Sequence, residues 1–409
     1  MTKSLDLDEV RGNFPALARD QVYLDNAGGS QTLRAVAERI RDYLLNTNVQ
    51  LGASYATGKK ATDRYNEGYT AAAKYIGASE DEIVIGPSTT QLFRNVSYAL
   101  NFEEGDELVV SALDHEANIA PWVDLAARQK LVLKWWRANA DAPDGKTNPK
   151  LLASDLAVLL TDRTRLVTCT HASNILGSIH DLKAIAATVH ARNPNALVCV
   201  DAVAYAPHRK IDVKDLGVDL YSFSWYKVYG PHCSILYASP LAQSALRSLG
   251  HFFKSHSTLE DKLALAGSSY ELVHGIPAVV EYLDGGHGET PKWDGIVAQE
   301  SKLQETLLRW LNARSDVTVW GERSADVNVR VPTISFTVEK WGSRELVEEV
   351  EKESNFGFRW GSFYSVRLVN ETLGLGDEGV VRVSMVHYNT VDEIERLIET
   401  LERVLTRRK

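Results

Sequence analysis

A lysine stands in an unusual place within residues 219–232, which read D-L-Y-S-F-S-W-Y-K-V-Y-G-P-H. The apolar run Leu220–Ser224 predicts a buried strand that ends shortly before Lys227 and a Gly-Pro turn. Burial disfavours an ammonium group and lowers the pKa of the lysine, so the free amine becomes available as a nucleophile. One reaction that uses such an amine is Schiff-base formation with pyridoxal phosphate (PLP). Taken alone, the segment favours the plainer alternative, a surface lysine at a strand end.

Three hydroxyl side chains precede a predicted helix nearer the N-terminus. A short predicted strand, 81–85, is followed by a Gly-Pro breaker and then by Ser88, Thr89 and Thr90, which precede the helix 91–100. Free backbone N–H groups at a helix N-terminus, with hydroxyls beside them, can cradle a phosphate group. The alternative is that Ser88 or Thr89 serves only as the N-cap of the helix.

Predicted strands alternate with predicted helices through the first part of the chain. Polar residues follow several of these strands, among them His115 and Asp201. This pattern is typical of a mostly parallel α/β sheet with its site along the carboxyl edge. Asp201 suits a carboxylate that pairs with a pyridinium nitrogen, and its alternative is a helix cap or a solvated turn. The predicted strands are 107–111, 131–136, 165–170, 196–200, 220–224 and 234–237. Helices are predicted over 151–160 and 182–192, and loops over 52–60 and 141–149.

The pattern changes after about residue 275. A long predicted helix contains Val297 and Leu311, residues 333–338 alternate as a half-buried strand, and 380–386 form another strand. Thr390 and Glu393 form a capping box before the last helix. We therefore predict three parts: residues 1–24, which pack with the small domain; a large domain, 25–275; and a small α+β domain, 276–409.

Composition restricts the class of protein. The 409 residues carry a net charge of -9 and are 44% hydrophobic, which indicates a soluble globular chain and argues against nucleic acid or an anionic membrane as partner. We see no run approaching the roughly 20 apolar residues that cross a bilayer and no apolar signal-peptide core, so a cytoplasmic location is expected. Cys169, Cys199 and Cys233 are predicted to be reduced thiols, not a disulfide framework, and no metal site is expected.

Taken in order, the motifs resemble the class V aminotransferase family of fold-type I PLP enzymes, specifically its cysteine desulfurase-like branch. The resemblance covers nearly the whole chain. It implies an α/β fold with a large domain built on a mostly parallel seven-stranded sheet and a small α+β C-terminal domain. It also implies PLP as cofactor and a small amino acid as substrate.

The resemblance assigns roles residue by residue. Lys227 would carry the Schiff base, and Asp201 would hold the pyridine nitrogen. His115 would stack on the cofactor ring, and Lys227 and His115 would be the catalytic residues. Arg382, in V-R-V-S-M-V-H-Y-N-T, would bind the substrate carboxylate. The other cofactor-binding candidates are Asn174, Thr89, Thr90, Ser224, Tyr226 and Ser268, and the other substrate-binding candidates are Asn26 and Tyr364. Because residues 266–269 resemble a segment that reaches the neighbouring subunit's phosphate, the resemblance implies a homodimer with the site at the subunit interface.

The chain also departs from the desulfurase pattern. Desulfurases accept sulfur on a cysteine of a small-domain loop, but no cysteine lies beyond Cys233, and Tyr364 in R-W-G-S-F-Y-S stands in its place. The family's D-G-A-Q reads D-A-V-A here, so Ala204 replaces a glutamine expected at the cofactor phenolic oxygen. Four histidines are candidates to line the pocket, although structural roles are favoured for them: His171, His208, His232 and His387.

In their exact residues, the motifs resemble those of a sub-branch that includes the decarboxylative aldolase-like enzyme of the fungal ustiloxin pathway. This implies cleavage at Cβ, with β-decarboxylation of aspartate favoured and C–C bond formation to an aldehyde co-substrate as its extension. The alternatives are a cysteine desulfurase or selenocysteine lyase, a cysteine-sulfinate or sulfoxide lyase, an epimerase-like enzyme, and a non-catalytic protein of the PLP fold.

Overall fold

The computed structural model describes residues 5–138, 144–285 and 290–408. Part of the predicted polar loop 141–149 lies outside the described residues. The helices are α1 (Leu7–Gly12), α2 (Arg34–Asn46), α3 (Ala56–Tyr75), α4 (Thr89–Ala99), α5 (Ala120–Gln129), α6 (Ala153–Ala157), α7 (Leu182–Arg192), α8 (Val213–Leu216), α9 (Pro240–Ala245), α10 (Leu259–Leu263), α11 (Tyr270–Asp284), α12 (Trp293–Asn312), α13 (Ser343–Glu351) and α14 (Val391–Leu405). The strands are β1 (Val22–Tyr23), β2 (Ile83–Gly86), β3 (Glu107–Ser111), β4 (Val132–Trp136), β5 (Thr164–Thr170), β6 (Leu197–Asp201), β7 (Leu220–Ser224), β8 (Ser234–Ala238), β9 (Val317–Trp320), β10 (Thr333–Val338), β11 (Phe356–Gly357), β12 (Arg359–Gly361) and β13 (Val380–Ser384).

A seven-stranded sheet forms the centre of the larger part of the molecule. Its strand order is β2-β8-β7-β6-β5-β3-β4, and the five strands from β7 to β4 are parallel. Strand β8 is antiparallel to both of its neighbours. Strands β6, β7 and β8 are buried along their whole length, which explains their continuous apolar runs, since both faces of such a sheet are covered. The predicted fold class is confirmed.

A second, antiparallel sheet lies in the C-terminal part of the chain, with the order β12-β13-β10-β9. Its core is shared with α12, α13 and α14 and includes Val22 and Leu24 from the N-terminal segment. Strand β1 pairs in parallel with β11, so residues near both ends of the chain meet here. Helix α11 continues across residue 275. The three-part division of the chain stays a prediction.

The loop after β5 is clamped against the small sheet. Val331 N donates to Gly177 O, and Ser335 Oγ donates to Ile175 O at 2.6 Å. Gly177 has φ +70°, and a Cβ atom there would lie 2.3 Å from Thr333 O. Only glycine allows both this backbone conformation and this approach. The loop is therefore fixed to the sheet that carries Arg382.

Some predictions from the sequence were wrong in detail. Residues 52–60 were predicted as a loop, but α3 begins at Ala56. Its small residues allow close contact with α11: a Cβ on Gly68 would lie 2.5 Å from Val273. The helix predicted over 151–160 is limited to α6. Strand β10 is buried on both faces, not on one, because Ile334, Phe336 and Val338 pack into the core of the small sheet and Ser335 on the other face contacts the loop after β5.

Within the described ranges, no helix has the length and apolar character that crossing a bilayer requires. The same residues contain no group of three or more His, Cys, Asp or Glu side chains placed to hold a metal ion. All three cysteines are free thiols, and all are buried.

Candidate active site

A cavity opens at the carboxyl edge of the seven-stranded sheet. The ends of β5, β6 and β7, the start of α4 and the turn after β3 each contribute side chains to its wall. Polar residues from distant parts of the sequence meet here because parallel strands present their carboxyl ends at one edge. The cavity is lined by Ser88, Thr89, Thr90, His115, Ala117, Thr170, Ala172, Asn174, Asp201, Val203, Ala204, Ser224, Tyr226 and Lys227.

Lys227 ends a short 3-10 turn, Trp225–Lys227, that directly follows β7. Burial, and after it the positive charge of Arg382, lower the pKa of its ammonium group to about 8, whereas the charge of Asp201 opposes the shift. The segment around Lys227 is held by Ser30 of the N-terminal loop: Ser30 N donates to Tyr226 O, and Tyr229 N donates to Ser30 Oγ. A substantial fraction of Lys227 is therefore the free amine near neutral pH, and the lysine faces the cavity instead of bulk solvent.

Asp201 is the last residue of β6 and lies in the same cavity as Lys227. Burial raises the pKa of its carboxyl to about 6, while the Val203 N–H, which donates to Oδ1 at 2.9 Å, and the charge of Lys227 work in the opposite direction. A buried carboxylate of this kind is best stabilised by a cationic partner. The alternative of a solvated turn is excluded, because Asp201 is buried.

The hydroxyl groups form a chain across the floor of the cavity. Ser224 Oγ lies 3.0 Å from Thr89 Oγ1 and 2.7 Å from Ser234 Oγ. Ser88 is the N-cap of α4, since its Oγ accepts from Gln91 N. Thr89 and Thr90 are the first residues of the helix, whose N–H groups have no acceptor within the helix. Capping therefore falls to Ser88 and not to Thr89 or Thr90.

His115 lies in the wall of the cavity as a neutral imidazole. Its Nδ1 accepts a hydrogen bond from Ala117 N at 3.0 Å, which leaves the proton on Nε2. Burial lowers its pKa to about 4, aided by the charges of Lys227 and Arg382. Tyr226 stacks in parallel on His232, with ring centroids 4.8 Å apart.

Residues 361–366 form a strap that passes beside the cavity. Asn174 Nδ2 donates to Phe363 O at 3.1 Å, Ser365 Oγ donates to Asn174 Oδ1, and Glu116 N donates to Tyr364 O. Phe363 and Tyr364 have φ values of 48° and 61°, so two consecutive non-glycine residues are in the left-handed region. That conformation stores strain.

Tyr364 lies at the mouth of the site, not in the inner cavity. Its side chain belongs to an outer cleft that shares Thr90, His115, Ala117 and Tyr226 with the inner cavity. The residue is 74% exposed, and its ring centroid lies 5.3 Å from that of His115.

Besides Tyr364, three predicted residues lie outside the cavity wall. Arg382, on β13, is buried and donates to Asn174 O and to Asp25 Oδ1. Asn26 is buried in a network in which its Nδ2 donates to Ser384 O and its Oδ1 accepts from the Tyr388 hydroxyl. Ser268 does not line the cavity of its own chain, and its role towards a neighbouring subunit stays a prediction.

The four candidate histidines have partners elsewhere. His171 stacks on Tyr205 at 3.4 Å between ring centroids, and His208 pairs with Glu300 at 2.8 Å. His387 contacts the hydroxyls of two tyrosines, and His232 stacks on Tyr226. None is in the cavity lining, in agreement with the structural roles that were favoured.

The geometry also includes side chains that the sequence did not single out. Asp25, Arg359 and Phe363 all contact one another or Arg382. Asp25 adjoins the candidate Asn26, and the other two belong to the motif around Tyr364. Their proximity in sequence to residues already proposed was the available signal.

Residues 22–397 match the Aminotransferase class-V family. The chain belongs to this family. It is 54% identical over 410 residues to the aminotransferase-like protein FGM3 of Gibberella zeae, covering 99% of this chain and 100% of that protein. It is 36% identical over 408 residues to the cysteine desulfurase-like protein ustD of Aspergillus flavus, covering 98% and 91%.

Among solved structures, an apo cysteine desulfurase from Thermococcus onnurineus shares the fold. Its TM-score is 0.86, with 23% identity and coverage of 99% of this chain and 100% of that one. The class V chain described here is a PLP-dependent enzyme.

The residues present fit PLP. The cavity holds a buried amine of lowered pKa for the carbonyl carbon and a buried carboxylate for the pyridine nitrogen. It also offers unpaired N–H groups at the start of α4, with the hydroxyls of Thr89 and Ser224 beside them, for a phosphate. Ala204, at the position where the resemblance expects a glutamine, lines the cavity.

Proposed function

We propose that this enzyme cleaves a bond at Cβ of a small amino acid, with aspartate β-decarboxylation as the reaction that the site supports best. The single observation that carries the choice is Tyr364, exposed at the mouth of the cavity where the resemblance expects a sulfur-accepting thiol. A phenol cannot take up sulfur as a persulfide. The proposed extension is capture of the resulting nucleophilic Cβ by an aldehyde co-substrate.

The thiols of the chain support this choice. Cys169, Cys199 and Cys233 are all buried, and none lines the cavity or the outer cleft. Burial raises the pKa of the Cys233 thiol, the one nearest Lys227 in sequence. A thiol held in its protonated form away from the cavity is a poor sulfur acceptor.

The proposed cofactor contacts follow the geometry of the cavity. Lys227 would hold PLP covalently, Asp201 would supply the negative charge beside the pyridine nitrogen, and Thr89, Thr90 and Ser224 would receive the phosphate. When bound, PLP supplies an electron sink conjugated to the substrate nitrogen. Keeping Asp201 ionised is therefore the protein's contribution to that sink.

The remaining steps belong to this chain's own side chains. Lys227, once freed by the substrate amine, moves protons at Cα and Cβ, a task suited to an amine with a pKa of about 8. His115, neutral and with its proton on Nε2, packs on the cofactor face without adding a charge. Arg382 binds the substrate α-carboxylate through its planar fork.

Overall, decarboxylation of aspartate releases the β-carboxylate as carbon dioxide and places a proton on Cβ, which gives alanine. With an aldehyde, Cβ forms a bond to the carbonyl carbon instead, and the carbonyl oxygen takes the proton, which gives a γ-hydroxy amino acid. Both reactions balance without an oxidant or reductant.

We also propose a cytoplasmic homodimer in which residues 266–269 approach the partner's phosphate site. The second candidate function is cysteine desulfurase or selenocysteine lyase activity, because a 36% identical relative is named cysteine desulfurase-like. A cysteine-sulfinate lyase and an epimerase-like reaction remain alternatives that need no sulfur-accepting thiol.

The test is mass spectrometry of products formed by the PLP-loaded enzyme from aspartate, cysteine and cysteine sulfinate, each with and without an aromatic aldehyde. We expect alanine and carbon dioxide from aspartate, and an adduct when the aldehyde is present. Release of sulfide or sulfite, with aspartate left intact, would contradict the proposal. The Lys227→Ala protein is the control for reactions of free PLP.

A further inference from the structure

Two arginines meet at one carboxylate beside the candidate active site. Asp25 Oδ1 accepts from Arg382 Nη2 at 2.7 Å, and Asp25 Oδ2 accepts from Arg359 Nε at 2.5 Å. Both guanidinium groups also contact the ring of Phe363, with their Cζ atoms 3.6 Å and 5.3 Å from its centroid. One negative charge therefore serves two positive charges, and among the described residues neither arginine pairs with a second carboxylate.

The inner arginine is incompletely satisfied. The Arg382 side chain is 2% exposed, yet its hydrogen bonds go only to Asn174 O and Asp25 among the described residues, and its buried Nε has no partner there. A guanidinium group has five N–H donors. Because a buried charge without full pairing is costly, Arg382 has both the free donors and the energetic reason to take another anion.

The outer part of the cluster is built for exchange. The side chains of Asp25 and Arg359 are 27% and 56% exposed and border a surface cleft. Gly28 makes room for the pair: a Cβ atom there would lie 2.8 Å from Arg359 Nη2 and 2.9 Å from Asp25 Oδ2. Asp25 and Arg359 therefore occupy the space that a side chain at position 28 would take.

We propose that Asp25 is the internal counter-ion of the carboxylate site and is exchanged for the carboxylate of the incoming amino acid. On exchange, Asp25 leaves Arg382 and stays paired with Arg359, so Arg359 is a positioning residue that holds Asp25 aside. The substrate carboxylate then neutralises Arg382, while Asp25 neutralises Arg359. The inference rests on the proposed amino-acid substrate, and it adds how Arg382 is kept paired before that substrate binds.

Acetate is the probe, because it presents a carboxylate and is not turned over. Its affinity for the PLP-loaded protein is measured by isothermal titration calorimetry at low ionic strength. In Asp25→Asn the internal competitor loses its charge, and we expect about tenfold tighter binding. In Arg359→Gln, Asp25 pairs with Arg382 alone, and we expect about threefold weaker binding.

The control is Arg309→Gln, which removes an exposed arginine paired with Glu305 on α12 and should leave acetate affinity unchanged. The double variant Asp25→Asn/Arg359→Gln should match Asp25→Asn, because Arg359 then has no carboxylate to hold aside. A purely structural role predicts weaker binding in both single variants.

Weaker or unchanged affinity in Asp25→Asn, or unchanged or tighter affinity in Arg359→Gln, would overturn the exchange. If Asp25→Asn does not fold, the half-exposed Arg359→Gln decides alone by the same criterion. The result is independent of the reaction catalysed. If acetate affinity rises in Asp25→Asn and falls in Arg359→Gln while aspartate is left intact, the exchange is retained and the decarboxylation is rejected. If the two affinities change in the same direction while carbon dioxide is released from aspartate, the exchange is rejected and the decarboxylation is retained.

Discussion

The cofactor side and the carboxylate side of this site are built differently. On the cofactor side, Lys227, Asp201 and Ser224 come from adjacent strand ends of one sheet, and Thr89 comes from the helix packed beside them. The buried hydroxyls of Thr89, Ser224 and Ser234 are linked there by hydrogen bonds. This side is fixed by the same hydrogen bonds and packing that make the fold.

On the carboxylate side, the parts come from the N-terminal segment, the loop after β5, the strap and β13. They are joined by ion pairs and ring contacts, and the strap holds two strained residues. Such contacts can be exchanged at little cost to the fold. Under the proposed function, the cofactor would therefore be held by a rigid half of the site and the substrate by an adjustable one.

The largest expected loss of activity comes from removing the nucleophile of the cofactor side. Lys227→Ala should lower activity by about 10³-fold or more, because it removes both the covalent hold on PLP and the proton carrier. Visible absorbance of the protein-bound cofactor should be lost as well. Lys130→Ala, which removes an exposed lysine paired with Glu104, is the matched control. Retained activity in Lys227→Ala would exclude the assigned role.

Asp201→Asn should lower activity by about 10²-fold, because the pyridine nitrogen loses its anionic partner. The apoprotein should nevertheless gain about 1–2 kcal/mol in free energy of unfolding at pH 7, since a desolvated carboxylate is replaced by a neutral amide.

The pH dependence follows from the carboxyl pKa of about 6 in the folded state. That value is raised above the ordinary one, so the folded protein binds the proton more tightly, and the wild-type apoprotein loses this stability as the pH rises from about 4 to 6. Urea unfolding at pH 4 and pH 7 should therefore show the gain from Asp201→Asn only at the higher pH. An equal gain at both would contradict the assignment.

A smaller effect tests how far the two sides are coupled. Capture of PLP by the apoenzyme needs the free amine of Lys227, so its rate should rise with a midpoint near pH 8. The negative charge of Asp25 raises the lysine pKa, and Asp25→Asn should therefore move the midpoint to lower pH. Stopped-flow absorbance measures the rate, and an upward movement would show that the two sides are not coupled in this way.

The smallest effect tests the strain in the strap. Glycine adopts the left-handed conformation of Tyr364 without steric cost, whereas alanine does not. Tyr364→Gly should therefore exceed Tyr364→Ala by about 1 kcal/mol in free energy of unfolding, measured in urea. The exposed side chain loses little packing in either variant, so a more stable alanine variant would show that the strap is unstrained.

Local patterns in the sequence predicted most of the fold. The bounds of α7 and β10 and the capping box of Thr390 and Glu393 agree with the structure. Helix α3 was missed in part because its buried face is made of small residues such as Gly58 and Ala61, which give a weak apolar signal. Its place is set by contact with α11, which no local pattern contains.

In the candidate site, too, the residues that follow local patterns were predictable and the long-range contacts were not. Residues placed at strand ends, such as Asp201 and Lys227, were predictable because parallel strands end at one edge. The partners of Arg382 were not, since Asp25 is 357 residues away in sequence and Phe363 acts through its ring. Contacts of this range depend on how the small sheet meets the large one.

The clamp between residues 174–178 and the small sheet has a mechanical consequence. Asn174 O accepts from Arg382, and the same loop is bonded to β10 and to the residues just before it. These hydrogen bonds fix the separation of Asn174 from Arg382. Because Asn174 also lines the cavity that holds Lys227, a carboxylate bound at Arg382 would lie at a set distance from the cavity wall.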